Sequence, residues 1–235
     1  LHTPITNVEE LKFDMISQLE GLNRGDKVII IIDSVGNLAS KKELEDAINE
    51  KSVADMSRAK ALKGLFRMTT PYLNMKDIPL LAVNHTYKEI GLFPRDVVSG
   101  GTGIYYSADN IWIIGRQQDK QGTEIKGYHF VINVEKSRYV KEKSKIPISV
   151  SWDGGVQRWS GLLDVAMSGN YVSNPSAGWY CRVDKSTGEL VEPKVREKDT
   201  LNEEFWKPII EETDFKQYVT NKYSILNNVV NLEKL

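Results

Sequence analysis

The chain has 235 residues, enough for one large domain or one domain with an extension. With 40% apolar residues, 27% charged residues and a net charge of −1, the composition is ordinarily globular and points to no particular partner, so any nucleic-acid surface must come from local clustering. Cys181 is the single cysteine, which excludes an internal disulfide and fits a reducing, cytoplasmic compartment; no apolar run is long enough to span a bilayer and no secretory signal is visible. The chain opens on Leu1 and enters ordered pattern almost at once, as a partial chain would.

Asn7 or Thr6, followed by Glu9 and Glu10, has the form of a helix N-cap with acids in the first turn. Val8, Leu11, Met15, Ile16 and Leu19 then recur at helical spacing, with Gly21 and Gly25 at the exit. The stretch KVIIIIDSVGNL (27–38) follows. Its run from Val28 to Ile32 is β-branched throughout and lacks polar alternation, which predicts a strand buried on both faces, of the parallel kind found inside α/β sheets. Asp33 closes that run. A carboxylate at the C-terminal end of such a strand either caps the next helix or stands beside the Mg2+ of a bound nucleotide.

Residues 41–52 are almost wholly polar, with no apolar stripe beyond Leu44, Ala47 and Ile48: a solvated helix or loop, or a mobile binding loop. From Ala54 to Met68 the period is helical, with Met56, Ala59, Leu62, Leu65 and Phe66 on one face and Arg58, Lys60, Lys63 and Arg67 making the rest basic; Pro71 and Pro79 bracket its exit. Ile78–Val83 predicts a second buried strand, ending in Asn84-His85-Thr86. That polar triplet repeats the logic of Asp33, either as a phosphate sensor or as strand-end residues with backbone partners. Residues 87–103 have no regular period and carry five glycines or prolines besides Phe93 and Arg95, which predicts a long connector, suited if functional to gripping a nucleic-acid backbone.

Strands dominate thereafter, at 110–115, 128–134 and 146–152, with a polar turn at 119–122. Between the last two lies a basic cluster, Lys136, Arg138, Lys141, Lys143 and Lys145, which is either a solvated hairpin end or an anion site. A turn at Asp153-Gly154-Gly155, a short helix at 161–167, a hairpin at 178–190 and a helix beginning at Phe205 complete the pattern. No GxxxxGK[ST] occurs, so the sequence carries a strand-end acid without the glycine-rich loop that cradles β- and γ-phosphates.

Taken together, IIIIDSVGNLASKKELEDAINEKSVADMSRAKALKGLFR, LLAVNHTY, SGGTGIYYSADNIWIIG and NVEKSR resemble the RecA-type recombinases, in particular their UvsX-like phage branch, over residues 1 to about 210. The resemblance implies a RecA-like α/β core, mostly a parallel central sheet flanked by helices with antiparallel strands on the C-terminal side, over 1–168, and a C-terminal extension over 169–235. The family's polymerisation helix and Walker A loop would lie before Leu1. It implies a DNA-dependent ATPase that forms filaments on single-stranded DNA in recombination, repair and replication, using ATP and Mg2+, with mediator and single-strand-binding proteins as partners. An alternative is a non-catalytic DNA-binding or interaction module, the C-terminal piece of a split recombinase.

Carried over, Asp33 matches the Walker B aspartate that orients Mg2+ through water, with Ser34 after it. Asp46–Val53, including Asn49, Lys51 and Ser52, matches the first DNA-binding loop. Asn84 and His85 match the polar pair that senses the γ-phosphate; bacterial members usually carry Gln in place of this His. Thr86–Ser99, with Lys88, Phe93 and Arg95, matches the second DNA-binding loop, closed by Gly100 and Gly101. Lys136 and Arg138 match two cations that reach a neighbour's ATP across the filament interface. Trp152, Asp153 and Gly154 match a turn near the adenine.

Overall fold

The computed structural model describes residues 2–50, 56–91 and 94–225 and divides into two compact units, Leu1–Asp109 and Asn110–Leu235. In the first, helix α1 (Val8–Gly21) starts at the N-cap Asn7, whose side chain accepts from the Glu10 amide at 2.8 Å. The Thr6 amide and hydroxyl bind the Glu10 carboxylate, and these bonds hold it below the usual carboxylate range. Strand β1 (Ile30–Ile32) is followed by a 3-10 turn at Val35–Asn37, helix α2 (Lys41–Ile48) and helix α3 (Ser57–Lys76). Strand β2 (Leu80–Ala82) pairs parallel to β1, Ile30 opposite Leu80 and Ile32 opposite Ala82. Strands β3 (Thr86–Lys88) and β4 (Asp96–Val98) form an antiparallel hairpin, and helix α4 (Thr102–Ser107) closes the unit.

The core of this unit is one-sided. Val8, Leu11 and Met15 of α1 and Leu62, Leu65 and Phe66 of α3 pack on Ile32 and Val35, with Ile30 and Leu80 at the margin. Strand side chains alternate faces, and the opposite face of this sheet is apolar but open, with Ile29 57%, Ile31 60%, Leu81 50% and Val83 45% exposed. The expected burial of 28–32 and 78–83 on both faces is therefore corrected: an unbroken β-branched run records two apolar faces, but only one has a covering layer among the described residues. Among the described residues the parallel pairing is limited to two strands, and the larger sheets are antiparallel.

Three further expectations change. Pro71 lies inside α3 and does not end it; the helix closes at Asp77 in the left-handed conformation, with Leu73 still buried. Tertiary packing of Leu62, Leu65, Phe66, Thr69 and Leu73 outweighs the missing amide of one proline. Residues 41–48 are a helix with a full capping box, Ser40 with Glu43, so Asp46–Ile48 of the expected first DNA-binding loop are helical and Asn49 is the C-cap. Within the expected connector, Thr86–Lys88 and Asp96–Val98 pair as antiparallel strands, so these parts of it are regular.

In the second unit, β5 (Asn110–Gln121), β6 (Glu124–Ser137), β7 (Lys145–Ser151) and β8 (Gly155–Val156) form an antiparallel sheet in chain order. Helix α5 (Leu162–Ser168) precedes a second antiparallel sheet in which β10 (Trp179–Val183) lies between β9 (Val172–Ser176) and β11 (Leu190–Arg196), and helices α6 (Glu203–Glu212) and α7 (Phe215–Tyr223) follow. Ala166, Tyr171, Val172, Phe205, Trp206, Ile209 and Phe215 make a separate core. Aromatic pairs fill it: Phe205 meets Trp206 edge-on at 5.3 Å and Tyr171 meets Phe215 at 5.0 Å. No helix among the described residues is long and apolar enough to cross a membrane.

Candidate functional site

Parallel pairing of β1 with β2 carries their C-terminal ends to the same edge, so Asp33-Ser34 and Asn84-His85 emerge side by side. Two backbone bonds lock the register beyond the strands: Val83 N–H to Ile32 O and Val35 N–H to Val83 O, both 2.9 Å. The Asp33 carboxylate is exposed. The Ser34 hydroxyl is buried and has no hydrogen-bond partner among the described residues. Asn84 donates through Nδ2 to Ser99 O at 2.8 Å and accepts the His85 amide at 2.9 Å, while the Ser99 amide donates to His85 O at 2.9 Å. The 86–98 hairpin therefore leaves and returns at this pair.

Two further residues shape the edge. Gly36 lies against the His85 ring so closely that a Cβ there would stand 2.8 Å from His85 Cγ. Arg58, which the sequence displays only as part of a basic helix face, turns inward and donates to Val35 O, Gly36 O and Leu38 O. No local pattern announces contacts spanning 20 to 23 residues. Gly36 gives a sequence cue, a glycine three residues after a strand-end acid, but not the ring it faces.

Both expected DNA-binding segments attach to α3. The first precedes it directly; Asn49 ends α2, whereas Lys51 and Ser52 lie outside the described residues. The second closes on it at the SGGTG turn. Gly100 has φ 93° and sits where a Cβ would meet Ile104 and Leu62, and Gly103 meets Lys63 in the same way. Gly101, with φ 79°, is the N-cap of α4. These glycines serve backbone conformation and close approach. Within the hairpin, Lys88 pairs with Asp96 at 2.9 Å and Arg95 with Glu89 at 2.6 Å. The two cations expected to be open to a DNA backbone thus have carboxylate partners; Phe93 lies outside the described residues.

The remaining expected residues belong to the second unit. Lys136 is half-buried near the end of β6 and Arg138 is exposed just past it. The Ser137 hydroxyl between them donates to Asn110 Oδ1 and accepts the Tyr139 and Val140 amides, fixing the turn. Lys141 of the same basic cluster is engaged elsewhere. Its ammonium donates to Asn221 O and Lys222 O at the C-terminal end of α7, a favourable place for a cation. Trp152, Asp153 and Gly154 form the turn between β7 and β8. Trp152 Nε1 donates to Ile125 O at 3.0 Å, its ring meets Tyr128 edge-on at 5.4 Å, and the Gly154 amide donates to Ser151 Oγ.

No group of three or more His, Cys, Asp or Glu side chains able to hold a metal occurs among the described residues. One exposed carboxylate and one adjoining unpartnered hydroxyl fit a hydrated Mg2+ that completes its shell with water and phosphate oxygens, and do not fit a cation held by protein ligands alone.

This edge can be set against known proteins. The chain is 50% identical over 229 residues to the recombination and repair protein of Enterobacteria phage T4, covering 96% of this chain and 59% of that protein. It is 26% identical over 164 residues to the RecA protein of Tropheryma whipplei (68% of this chain, 37% of that one) and 25% over 171 residues to that of Aquifex aeolicus (72% and 49%). The chain is homologous to the RecA-type recombinases. Residues 159–219 match the family described as the C-terminal domain of the bacteriophage T4 recombination and repair protein. The α/β architecture is RecA-like on this homology. The chain spans 37% to 59% of the lengths of these three relatives.

Proposed function

We propose that the chain carries the strand-end half of a nucleotide site and the DNA-facing loops of a strand-exchange recombinase: an ATPase that assembles on single-stranded DNA for recombination and repair in a phage-infected host cytoplasm. The observation that carries this reading is the 50% identity to the phage T4 recombination and repair protein along 96% of the chain, with Asp33 and Asn84-His85 falling at adjoining ends of a parallel pair. In this reading β1 and β2 belong to a larger, mostly parallel central sheet, and the chain divides functionally at residues 168/169.

Bound Mg2+ would neutralise phosphate charge. Asp33 would orient its water shell and Ser34 would give its hydroxyl a partner there. Asn84 would hold the returning hairpin through Ser99, and His85 would offer its imidazole to a terminal phosphate. Lys136 and Arg138 would supply positive charge to a neighbouring copy's ATP, with Trp152, Asp153 and Gly154 near the base. Asn49, Lys51, Ser52, Lys88, Phe93 and Arg95 would meet DNA, Lys88 and Arg95 by exchanging their carboxylates for phosphate, while Gly100 and Gly101 set the turn. Partners would be single-stranded DNA, further copies, and mediator and single-strand-binding proteins.

The absence of GxxxxGK[ST] from the 235 residues favours a second reading, in which this chain binds DNA without hydrolysing ATP and chemistry needs a complementing polypeptide. ATP turnover with and without single-stranded DNA, with Asp33→Ala as control, separates the two. DNA-stimulated turnover abolished by the substitution supports a complete enzyme. Salt-sensitive DNA binding without turnover supports the second reading. Neither turnover nor DNA binding overturns both.

A further inference from the structure

One turn follows Asp33, held by the Val35 amide on Val83 O, by the buried Val35 side chain and by the side chain of Arg58. Val35–Asn37 is one turn of 3-10 helix. Val35 O accepts the Leu38 amide within the turn at 3.3 Å, but the helix does not continue to supply further donors to the carbonyls that follow. Arg58 supplies donors with one planar group: Nε donates to Leu38 O at 2.7 Å, and a terminal nitrogen donates to Val35 O at 3.1 Å and Gly36 O at 3.0 Å. A guanidinium offers such a fixed fork; an ammonium is a point charge without it. Arg58 is the second residue of α3, whose helix is fixed by buried Leu62, Leu65 and Phe66 and whose first residue, Ser57, bonds Ser40 at 2.6 Å. The guanidinium therefore ties the turn to a rigid element.

The other side of that turn faces His85. Gly36 Cα meets the imidazole, and a Cβ added there would lie 2.8 Å from Cγ, 3.0 Å from Nδ1 and 3.1 Å from Cδ2. The ring thus rests on a backbone surface that Arg58 grips from α3. The backbone of His85 is fixed separately, by Asn84 and Ser99.

We infer that Arg58 is a positioning residue for His85, acting through the Val35–Leu38 turn and the bare α-carbon of Gly36. It touches neither a nucleotide nor DNA in this role. The functional meaning of that positioning rests on the reading of His85 as a phosphate sensor; the positioning itself does not.

The test is side-chain nitrogen-15 NMR of the 235-residue chain, whose three histidines are His2, His85 and His129. Arg58→Met keeps the aliphatic stem and removes every donor. The His85 ring signals and the Gly36 amide should move, while His129, in the other unit, stays in place. Gly36→Ala should displace the His85 ring directly, and the double substitution should move it no further than Gly36→Ala alone. A folded Arg58→Met chain with unmoved His85 signals, or with His129 moving as much, overturns the inference. Should Arg58→Met fail to fold, Arg58→Lys decides: charge without the fork should still shift the ring, and an unmoved ring overturns the inference. None of these readouts requires ligand. Adding single-stranded oligonucleotide or ATP in the same tube tests the proposed function separately, and its failure would leave the Arg58 result standing.

Discussion

The β1–β2 edge and the C-terminal region from Trp159 to Tyr223 both carry clusters of apolar side chains but are closed to different degrees. In the C-terminal region, Trp206 is fully buried and Tyr171, Phe205 and Phe215 are nearly so, with Trp159, Leu162, Tyr180, Val195 and Tyr218 packed around them. Helices cover the sheet and the aromatic interior is complete. At the β1–β2 edge, α1 and α3 cover one face, while Ile29, Ile31, Leu81 and Val83 leave the other open. A sheet of the layered α/β kind buries both faces; this one, within the described residues, is layered on one. The candidate chemistry of Asp33, Asn84 and His85 stands on the half-covered region.

The comparison breaks first on core deletions. Trp206→Ala should cost about 3–5 kcal/mol in denaturant unfolding, because its indole fills a closed interior; a loss under about 1 kcal/mol would mean that the C-terminal region is not closed around it. Leu62→Ala, on the covered face of the first unit, should cost about 2–5 kcal/mol, whereas Ile31→Ser on the open face should change stability by about 1 kcal/mol or less. Equal losses at the two positions would show that the open face is covered in solution.

A pH difference sharpens the contrast further. Burial, and then the bond from Tyr171 to Asp214 at 2.8 Å, push the Tyr171 phenol up from 10.0 to about 12. The folded state thus favours the neutral phenol. Its contribution is whole below about pH 10 and is lost as pH rises through about 12. The full difference is at most about 2–3 kcal/mol, from two pH units. Tyr171→Phe should remove about 1 kcal/mol at neutral pH, the net value of one hydrogen bond, and should flatten the alkaline fall of stability. An unchanged alkaline slope would count against the assignment.

The smallest effect is at Cys181. Burial first, and Glu192 second, push its thiol above the ordinary range, so a thiol reagent should label it only as fast as the C-terminal region opens. Fast labelling of the native chain would break the picture of a closed interior.

Much was legible in order and little in depth. The Asn7 cap, the α1 stripe, the strands at 110, 128 and 146 and the hairpin at 178–190 follow from period and turn chemistry, which are local. The strand-end acid and the Asn-His pair were legible for the same reason, since an apolar run ending in a polar residue is a contiguous pattern. β9, the 86–98 hairpin and the passage of α3 through Pro71 were not legible, because each depends on what packs against it from elsewhere in the chain. The charges divide likewise: sequence counts the cations but cannot show that Lys88 and Arg95 hold carboxylates, or that Lys141 caps a helix 80 residues away.

From the sequence alone came the type of most elements, the apolar stripes and the residue types that stand at the ends of β1 and β2, because those follow from period, propensity and adjacency. Tertiary structure alone decided which face of the β-branched run is covered, that Arg58 turns inward to a turn over 20 residues back, and that Gly36 lies beneath the His85 ring. Those are distances between segments remote in the chain, set by how α1 and α3 pack on the sheet.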